Sequence, residues 1–258
     1  MPAPRAETIT PAGPGRTPHH ASASDPTESS ATVPTRTAAE PRTLHAVLFD
    51  MDGTLVDTED LWRLAVEREA EVLGLALGAE DEQHILGRPI EYTAAHLHRS
   101  SGTGRSEESL AEALGRGFAE LVGTGVEPLP GALALLDALG AAGIRTALVS
   151  ASPRNVVDTV LDALGRERFT VSFAAGETPR TKPAPDPYLA AAAALDLSPD
   201  SCVAVEDTPV GVASAEAAGC TVLAVPSAAP IPAVPGRTVV SSLLDVDLPL
   251  LRTLIANG

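Results

Sequence analysis

V-L-F-D-M-D-G-T-L-V-D-T-E, residues 47–59, decides the fold. Its apolar lead, Ala46-Val47-Leu48-Phe49, runs into two aspartates one residue apart, and Gly53 and Thr54 then break the strand. A strand buried on both faces reads as a continuous apolar run, and in open parallel sheets ligands sit outside the carboxyl ends of the strands. The stretch therefore predicts a central strand with Asp50 and Asp52 at its functional end. Side chains alternate along an extended backbone, so carboxylates at i and i+2 point the same way. One can hold a cation or attack an electrophile while the other handles a proton.

Outward from this stretch the period changes. Leu61, Leu64, Ala65, Val72 and Leu73 recur at helical spacing against charged Glu67, Arg68, Glu69 and Glu71, which predicts a helix over 58–74 with a solvated charged face. The patterns stay helical to residue 126, divided by glycine-rich breaks at 74–78, 102–104 and 123–125. An insertion over 58–126 is too long for a simple loop. Its place directly after the aspartates predicts a lid or cap over the mouth of a sheet. Helices at 132–139, 155–164, 187–195 and 210–218 then alternate with strands at 144–149, 169–174, 202–205 and 221–225, and 243–255 closes the chain with a short helix. Such alternation implies a parallel sheet with helices on both faces. The expected organisation is a core of 44–57 and 127–258 interrupted by a helical cap of 58–126.

The composition narrows the partners. Among 258 residues, 18 Lys and Arg face 34 Asp and Glu, a net charge of -16, which argues against nucleic acid and against an anionic membrane surface. The same balance suits a site that recruits a divalent cation. Cys202 and Cys220 stand in apolar contexts and read as core thiols. No stretch approaches the ~18 apolar residues of a membrane helix, so a soluble cytoplasmic protein, a monomer or weak dimer, is expected. Residues 1–43 are rich in Pro, Ala, Thr and Ser without a hydrophobic period, and are expected to form a disordered tail or to reflect an over-extended start. Neither a secretory signal nor a transit peptide is expected there.

The pattern of Asp50 and Asp52 recurs at other strand ends. Ser150 ends one strand, although a serine there also reads as an ordinary turn or cap residue. Glu206 and Asp207 end another; adjacent acids repel one another and raise a pKa unless a cation joins them. An all-oxygen set of this kind suits Mg²⁺. Lys182 is the only lysine beside seventeen arginines, so a compact ammonium has been kept where a planar fork was otherwise chosen. Pro183, Pro185 and Pro187 stiffen the loop that presents it. Parallel strands bring all these ends to one edge. By contrast, 102–104 and 123–125 follow no strand and read as turns, while His96 and His98, two apart on a helix, read as surface or packing residues.

Asp50-Met51-Asp52-Gly53-Thr54-Leu55-Val56-Asp57, Ser150, Lys182-Pro183-Ala184-Pro185-Asp186, and Glu206-Asp207-Thr208 followed by Gly211 and Ala217-Ala218-Gly219 resemble, in order and spacing, the four motifs of the haloacid dehalogenase (HAD) superfamily of phosphohydrolases. The resemblance runs from about His45 to the end of the chain, and the insert is similar to the small helical cap of the subgroup of beta-phosphoglucomutase, phosphoglycolate phosphatase and sugar-phosphate phosphatases. It implies an α/β fold, a Rossmann-like parallel sheet core with an inserted α-helical cap, and a Mg²⁺-dependent phosphatase of a small phosphorylated metabolite, a sugar or polyol phosphate. In that scheme Asp50 attacks phosphorus and forms an aspartyl-phosphate. Asp52 is the acid and then the base. Mg²⁺ is held by Asp50, the Asp52 carbonyl and Asp207, with Glu206 beside them. Ser150 and the Ala151 amide hold phosphoryl oxygens, and Lys182 balances their charge.

Three positions bear on the choice within the family. Dehalogenases lack the second aspartate, and Asp52 is present. Beta-phosphoglucomutase carries a histidine where this chain has Trp62, and a cap arginine where it has Ile90, with Arg88 nearby as a substitute. Both departures favour hydrolysis, with Trp62 and Arg88 as candidate substrate contacts; Trp62 also reads as a member of the cap core. A mutase, or a phospho-ligand binding module without turnover, are the alternatives.

Overall fold

The structure, a computed structural model, describes residues 42–227 and 229–257. The tail expected over 1–43 lies, but for its last two residues, outside the described residues. Strand β1 (Ala46–Phe49) is completely buried and pairs in parallel with β4 (Arg145–Val149) on one side and β6 (Cys202–Glu206) on the other. Outside these lie β5 (Val171–Phe173), β7 (Thr221–Ala224) and β8 (Arg237–Val239), so that the parallel sheet runs β5-β4-β1-β6-β7-β8. The chain winds to one side of β1 and then to the other. Such a reversal leaves a crevice at the carboxyl ends of β1, β4 and β6.

Period-two alternation sorts the strands into two cores. Val47, Phe49, Leu148, Val203, Val205 and Leu223 face α4 (Ala132–Ala141), α5 (Arg154–Leu164) and α8 (Leu248–Asn257). Ala46, Leu48, Ala147, Val149, Ala204 and Val222 face α6 (Asp186–Ala194) and α7 (Pro209–Ala218). Cys202 and Cys220 belong to the second core, where burial pushes the thiols up to about 11 and about 12. They are packing groups, as their apolar context indicated.

The helical insert begins after a two-residue strand, β2 (Val56–Asp57), and ends at another, β3 (Glu127–Pro128), which pair antiparallel with Asp57 opposite Glu127. Between them stand α1 (Glu59–Val72), α2 (Ile90–Ser101) and α3 (Glu107–Val122). Each buries one apolar stripe: Trp62, Ala65, Val66 and Ala70 from α1, Ala94 and Leu97 from α2, and Leu110, Leu114 and Phe118 from α3. Glu67, Arg68 and Glu71 are exposed, while Glu69 is half-buried and pairs with Arg105. His96 bonds Asp81 (2.7 Å) and stacks on His84, and His98 bonds the Arg105 carbonyl (2.9 Å), so both are packing residues.

Two expectations need correction. Strand β8 has no counterpart in the sequence reading; it is an edge strand of half-buried residues, without an uninterrupted apolar run long enough to stand out. The closing helix does not start at Leu243: a single 3-10 turn, Leu243–Asp245, precedes α8. Pro249 lacks an N–H and is tolerated only in the first turn of a helix, which forces a fresh start there; the Asp247 carboxylate accepts from the Leu250 N–H (2.8 Å). Among the described residues no helix is long and apolar enough to cross a membrane.

Candidate active site

Asp50 follows β1 directly, its N–H bonded to Val205 O (2.9 Å), and it is 7% exposed. The chain then turns tightly: Leu55 N–H reaches Met51 O (2.9 Å) and Gly53 N–H reaches Val56 O (2.9 Å). Gly53 has φ +75°, and a Cβ there would lie 2.3 Å from Asp207 Oδ2. Glycine is needed on both counts, which accounts for its place one residue after Asp52.

Lys182 reaches this strand end from the loop before α6. Its ammonium donates to Asp50 Oδ1 (2.6 Å), Val149 O (2.9 Å) and Glu206 Oε1 (2.6 Å). Burial by itself lowers its pKa, but Asp50 and Glu206 raise it more, so the ammonium is held charged. Glu206 is wholly buried; its Oε1 also accepts from Tyr188 OH (2.5 Å), and Thr208 OH lies 3.4 Å from Oε2. A Cβ at Gly211 would fall 1.9 Å from Glu206 Oε2, so α7 can approach this carboxylate only through a glycine.

Asp52 stands in a cradle of hydroxyls. Thr58 donates to Oδ1 (2.7 Å), and Ser152 (2.8 Å) and Ser150 (3.2 Å) donate to Oδ2. The Ser152 N–H in turn bonds Ser150 Oγ (2.9 Å). Ser150 is therefore turned toward Asp52 rather than lying free at the strand end.

Asp50, Glu206 and Asp207 each offer an oxygen within 4.8 Å of the others, and all three are buried. Burial first, then Glu206, pushes Asp207 up to about 7, although a hydrogen bond from Ser227 (2.5 Å to Oδ2) opposes this. Burial likewise holds Asp50 well above the usual carboxylate range despite Lys182. Three carboxylates face one ammonium, and the buried Asp207 Oδ1 has no hydrogen-bond partner. Hard oxygen donors, surplus negative charge and an orphaned carboxylate oxygen are what a divalent cation such as Mg²⁺ takes. The residues fit such an ion. Glu206 is the least available of the three, since Oε1 already accepts twice.

One cavity joins these groups to the insert. Asp50, Asp52, Ala151, Ser152, Lys182, Asp207 and Thr208 form its polar floor. Trp62, Leu86, Pro89, Ile90 and Phe118 supply its apolar wall, and Glu59 and Arg88 also line it. Trp62 serves in both of its expected places, for it lines the cavity and is 9% exposed, its indole N–H bonded to Ile85 O (2.8 Å) and its ring edge-on to Phe118 (5.5 Å). Arg88 is exposed, its Nε bonded to Gln83 O (3.0 Å) and its guanidinium 5.1 Å from the Tyr92 ring centre. Ser150 and Glu206 are not part of the lining but bond to Asp52 and Lys182, which are.

Sequence reasoning missed four side chains of this site: Thr58, Ser152, Tyr188 and Ser227. Ser152 and Thr58 carried a faint signal, one lying two residues past Ser150 and the other just ahead of a helix; Tyr188 and Ser227 carried none.

A profile of haloacid dehalogenase-like hydrolases matches residues 44–219. Hexitol phosphatase A of Escherichia coli is 38% identical over 187 residues, covering 72% of this chain and 84% of its own length. Protein CbbY of Rhodobacter capsulatus is 35% identical over 195 residues, covering 71% and 86%. Among solved structures, CbbY from Rhodobacter sphaeroides with phosphate superposes with a TM-score of 0.73 at 28% identity, over 81% of this chain and 99% of that one; a second structure of it holds xylulose-(1,5)bisphosphate. The match spans the four strand-end motifs and the insert alike, and with it the chain belongs to the haloacid dehalogenase-like hydrolases, enzymes whose named relatives here include phosphatases of phosphate esters.

Proposed function

We propose that this enzyme is a Mg²⁺-dependent phosphatase that hydrolyses a small sugar or polyol phosphate through an aspartyl-phosphate on Asp50. The observation that carries the reading is the pairing of Asp50 with Lys182 at 2.6 Å beside a second carboxylate, Asp52, at the floor of one cavity. The relatives named for hexitol phosphates and the neighbour bound to xylulose-(1,5)bisphosphate support a polyhydroxylated substrate. Residues 58–126 act as the cap, and 44–57 with 127–258 as the core.

Asp50 Oδ1 is held by Lys182, which leaves Oδ2 as the nucleophile toward phosphorus. The three hydroxyls on Asp52 orient its carboxyl group, which protonates the leaving alkoxide and afterwards takes a proton from the hydrolytic water. Ser150 works here through Asp52 and holds the Ser152 N–H, while the Ala151 amide at the cavity floor receives a phosphoryl oxygen. Asp50, the Asp52 carbonyl and Asp207 would hold Mg²⁺, which supplies charge neutralisation to the transferring group. Trp62 and Phe118 present an apolar wall to the organic part of the substrate and exclude water from it, and Arg88 also lines the cavity.

The test is phosphate release from a panel of sugar and polyol phosphates with Mg²⁺, with EDTA, and with Asp50→Asn. Activity that survives the substitution sinks the assignment. A mutase is disfavoured by Trp62, whose only polar hydrogen is already bonded to Ile85 O and which has no base to offer; conversion of beta-glucose 1-phosphate to glucose 6-phosphate without phosphate release would reverse that choice.

A further inference from the structure

We propose that Tyr188 is a positioning residue that keeps Glu206 in place while Lys182 exchanges its bond to Glu206 for one to a phosphoryl oxygen of the substrate. The inference rests on the phosphatase reading above. An ammonium has three hydrogens, and Lys182 uses all of them, on Asp50, Val149 O and Glu206. A phosphoryl oxygen can therefore be bonded by Lys182 only in exchange for one of these.

The three acceptors are not equal. Among the described residues, Lys182 is the only hydrogen-bond donor to the Asp50 side chain, so losing it would leave the nucleophile unoriented. Glu206 Oε1 already has a second strong donor in Tyr188 OH at 2.5 Å. Leaving a buried carboxylate without a partner is costly, and a hydrogen bond to a charged group offsets part of that cost. Glu206 is also held mechanically, because its Oε2 lies where a Cβ on residue 211 would be. The ring of Tyr188 lies 5.1 Å from the ammonium, close enough for a cation–π attraction that does not depend on which acceptor Lys182 uses. Burial, then Glu206, raises the Tyr188 pKa, so the phenol remains a donor throughout. Tyr188 is completely buried in the core and touches no substrate; it acts through Glu206 and Lys182.

Tyr188→Phe keeps the ring and removes the hydroxyl. The expected result is a roughly tenfold lower kcat, the scale of one hydrogen bond to a charge, with KM within about twofold and inhibition by orthovanadate weakened by a factor similar to that in kcat. In a Glu206→Gln background, where residue 206 carries no charge to compete with the phosphoryl group for the ammonium, the same substitution should change kcat by about twofold or less. A lowered thermal midpoint with unchanged kcat and unchanged orthovanadate inhibition would overturn the proposal and leave Tyr188 a packing residue. If Tyr188→Phe folds poorly, 3-fluorotyrosine incorporated into Tyr92→Phe protein alters donor strength at residue 188 alone: relative to unlabelled Tyr92→Phe, a shift in kcat with constant KM supports the role, and no shift refutes it. Asp50→Asn assayed in parallel separates the two readings. Activity surviving there removes the phosphatase assignment, whereas an inactive Asp50→Asn beside a fully active Tyr188→Phe removes only the role of Tyr188.

Discussion

The two sides of the cavity are built from opposite materials. Its floor, at the ends of β1, β4 and β6, is charged and nearly saturated: Lys182 has three acceptors and Asp52 three donors. Its apolar wall, from the insert, is Trp62, Leu86, Pro89, Ile90 and Phe118. Hydrogen bonds need angles and distances within narrow limits, so a saturated floor tolerates little change and fixes one chemistry. Apolar contact is non-directional, so the wall can be recut without disturbing the floor. On the proposed reading, the floor sets the reaction type and the wall the choice of substrate.

The sharpest way to break this division is at the nucleophile. Asp50→Asn should lower kcat by roughly a thousandfold or more with the fold intact by circular dichroism; residual activity near wild type would mean that the floor does not carry the chemistry. Lys182→Met comes next, removing the one ammonium from between Asp50 and Glu206. Uncompensated buried charge should cost about 3–5 kcal/mol of stability, read from urea unfolding, together with a loss of activity of about a hundredfold or more. Added Mg²⁺ should recover part of that stability, because a cation at Asp207 relieves the same surplus charge; an unfolding midpoint that Mg²⁺ leaves where EDTA leaves it would argue against a site there.

Changes to the wall should act on KM instead. Trp62→Phe keeps an aromatic face against Phe118 and loses the bond to Ile85 O, so KM should rise about threefold to tenfold with kcat within about twofold, and the ranking of substrates in a panel should change. A fall in kcat with constant KM would erase the division between floor and wall. The smallest effect is expected at Arg63, on the solvated side of α1, where pairs with Asp60 and Glu67 are exposed. Arg63→Ala should leave kcat, KM and thermal midpoint unchanged within error.

The floor was largely legible in the sequence and the wall was not. Ala46-Val47-Leu48-Phe49 and Cys202-Val203-Ala204-Val205 are unbroken apolar runs ending in acids, and a parallel sheet aligns such ends whatever lies between them. Ser150 was found by its strand end, yet its contact with Asp52 depends on a turn that also brings Ser152 to the same oxygen. The period of the insert predicts helices, but it shows only that Trp62 and Phe118 face inward. It does not say that one side of this inward face also borders a cavity. Strand β8 failed to register because an edge strand buries too little to need a long apolar run.

By itself, then, the sequence determined which groups stand at the strand ends, since chain order and apolar patterning are covalent facts that any fold of this topology must respect. It determined the surplus of acids over cations at those ends. Only the tertiary structure decided the partners: that Glu206 faces Lys182 and Tyr188, that Asp207 keeps one oxygen unpaired, and that the hydroxyls of Thr58, Ser150 and Ser152 converge on Asp52. These depend on distances of 2.5 to 3.2 Å, for all but Thr58 between segments far apart in the chain. Packing of the two cores against the sheet sets such distances, and no local pattern of residues encodes them.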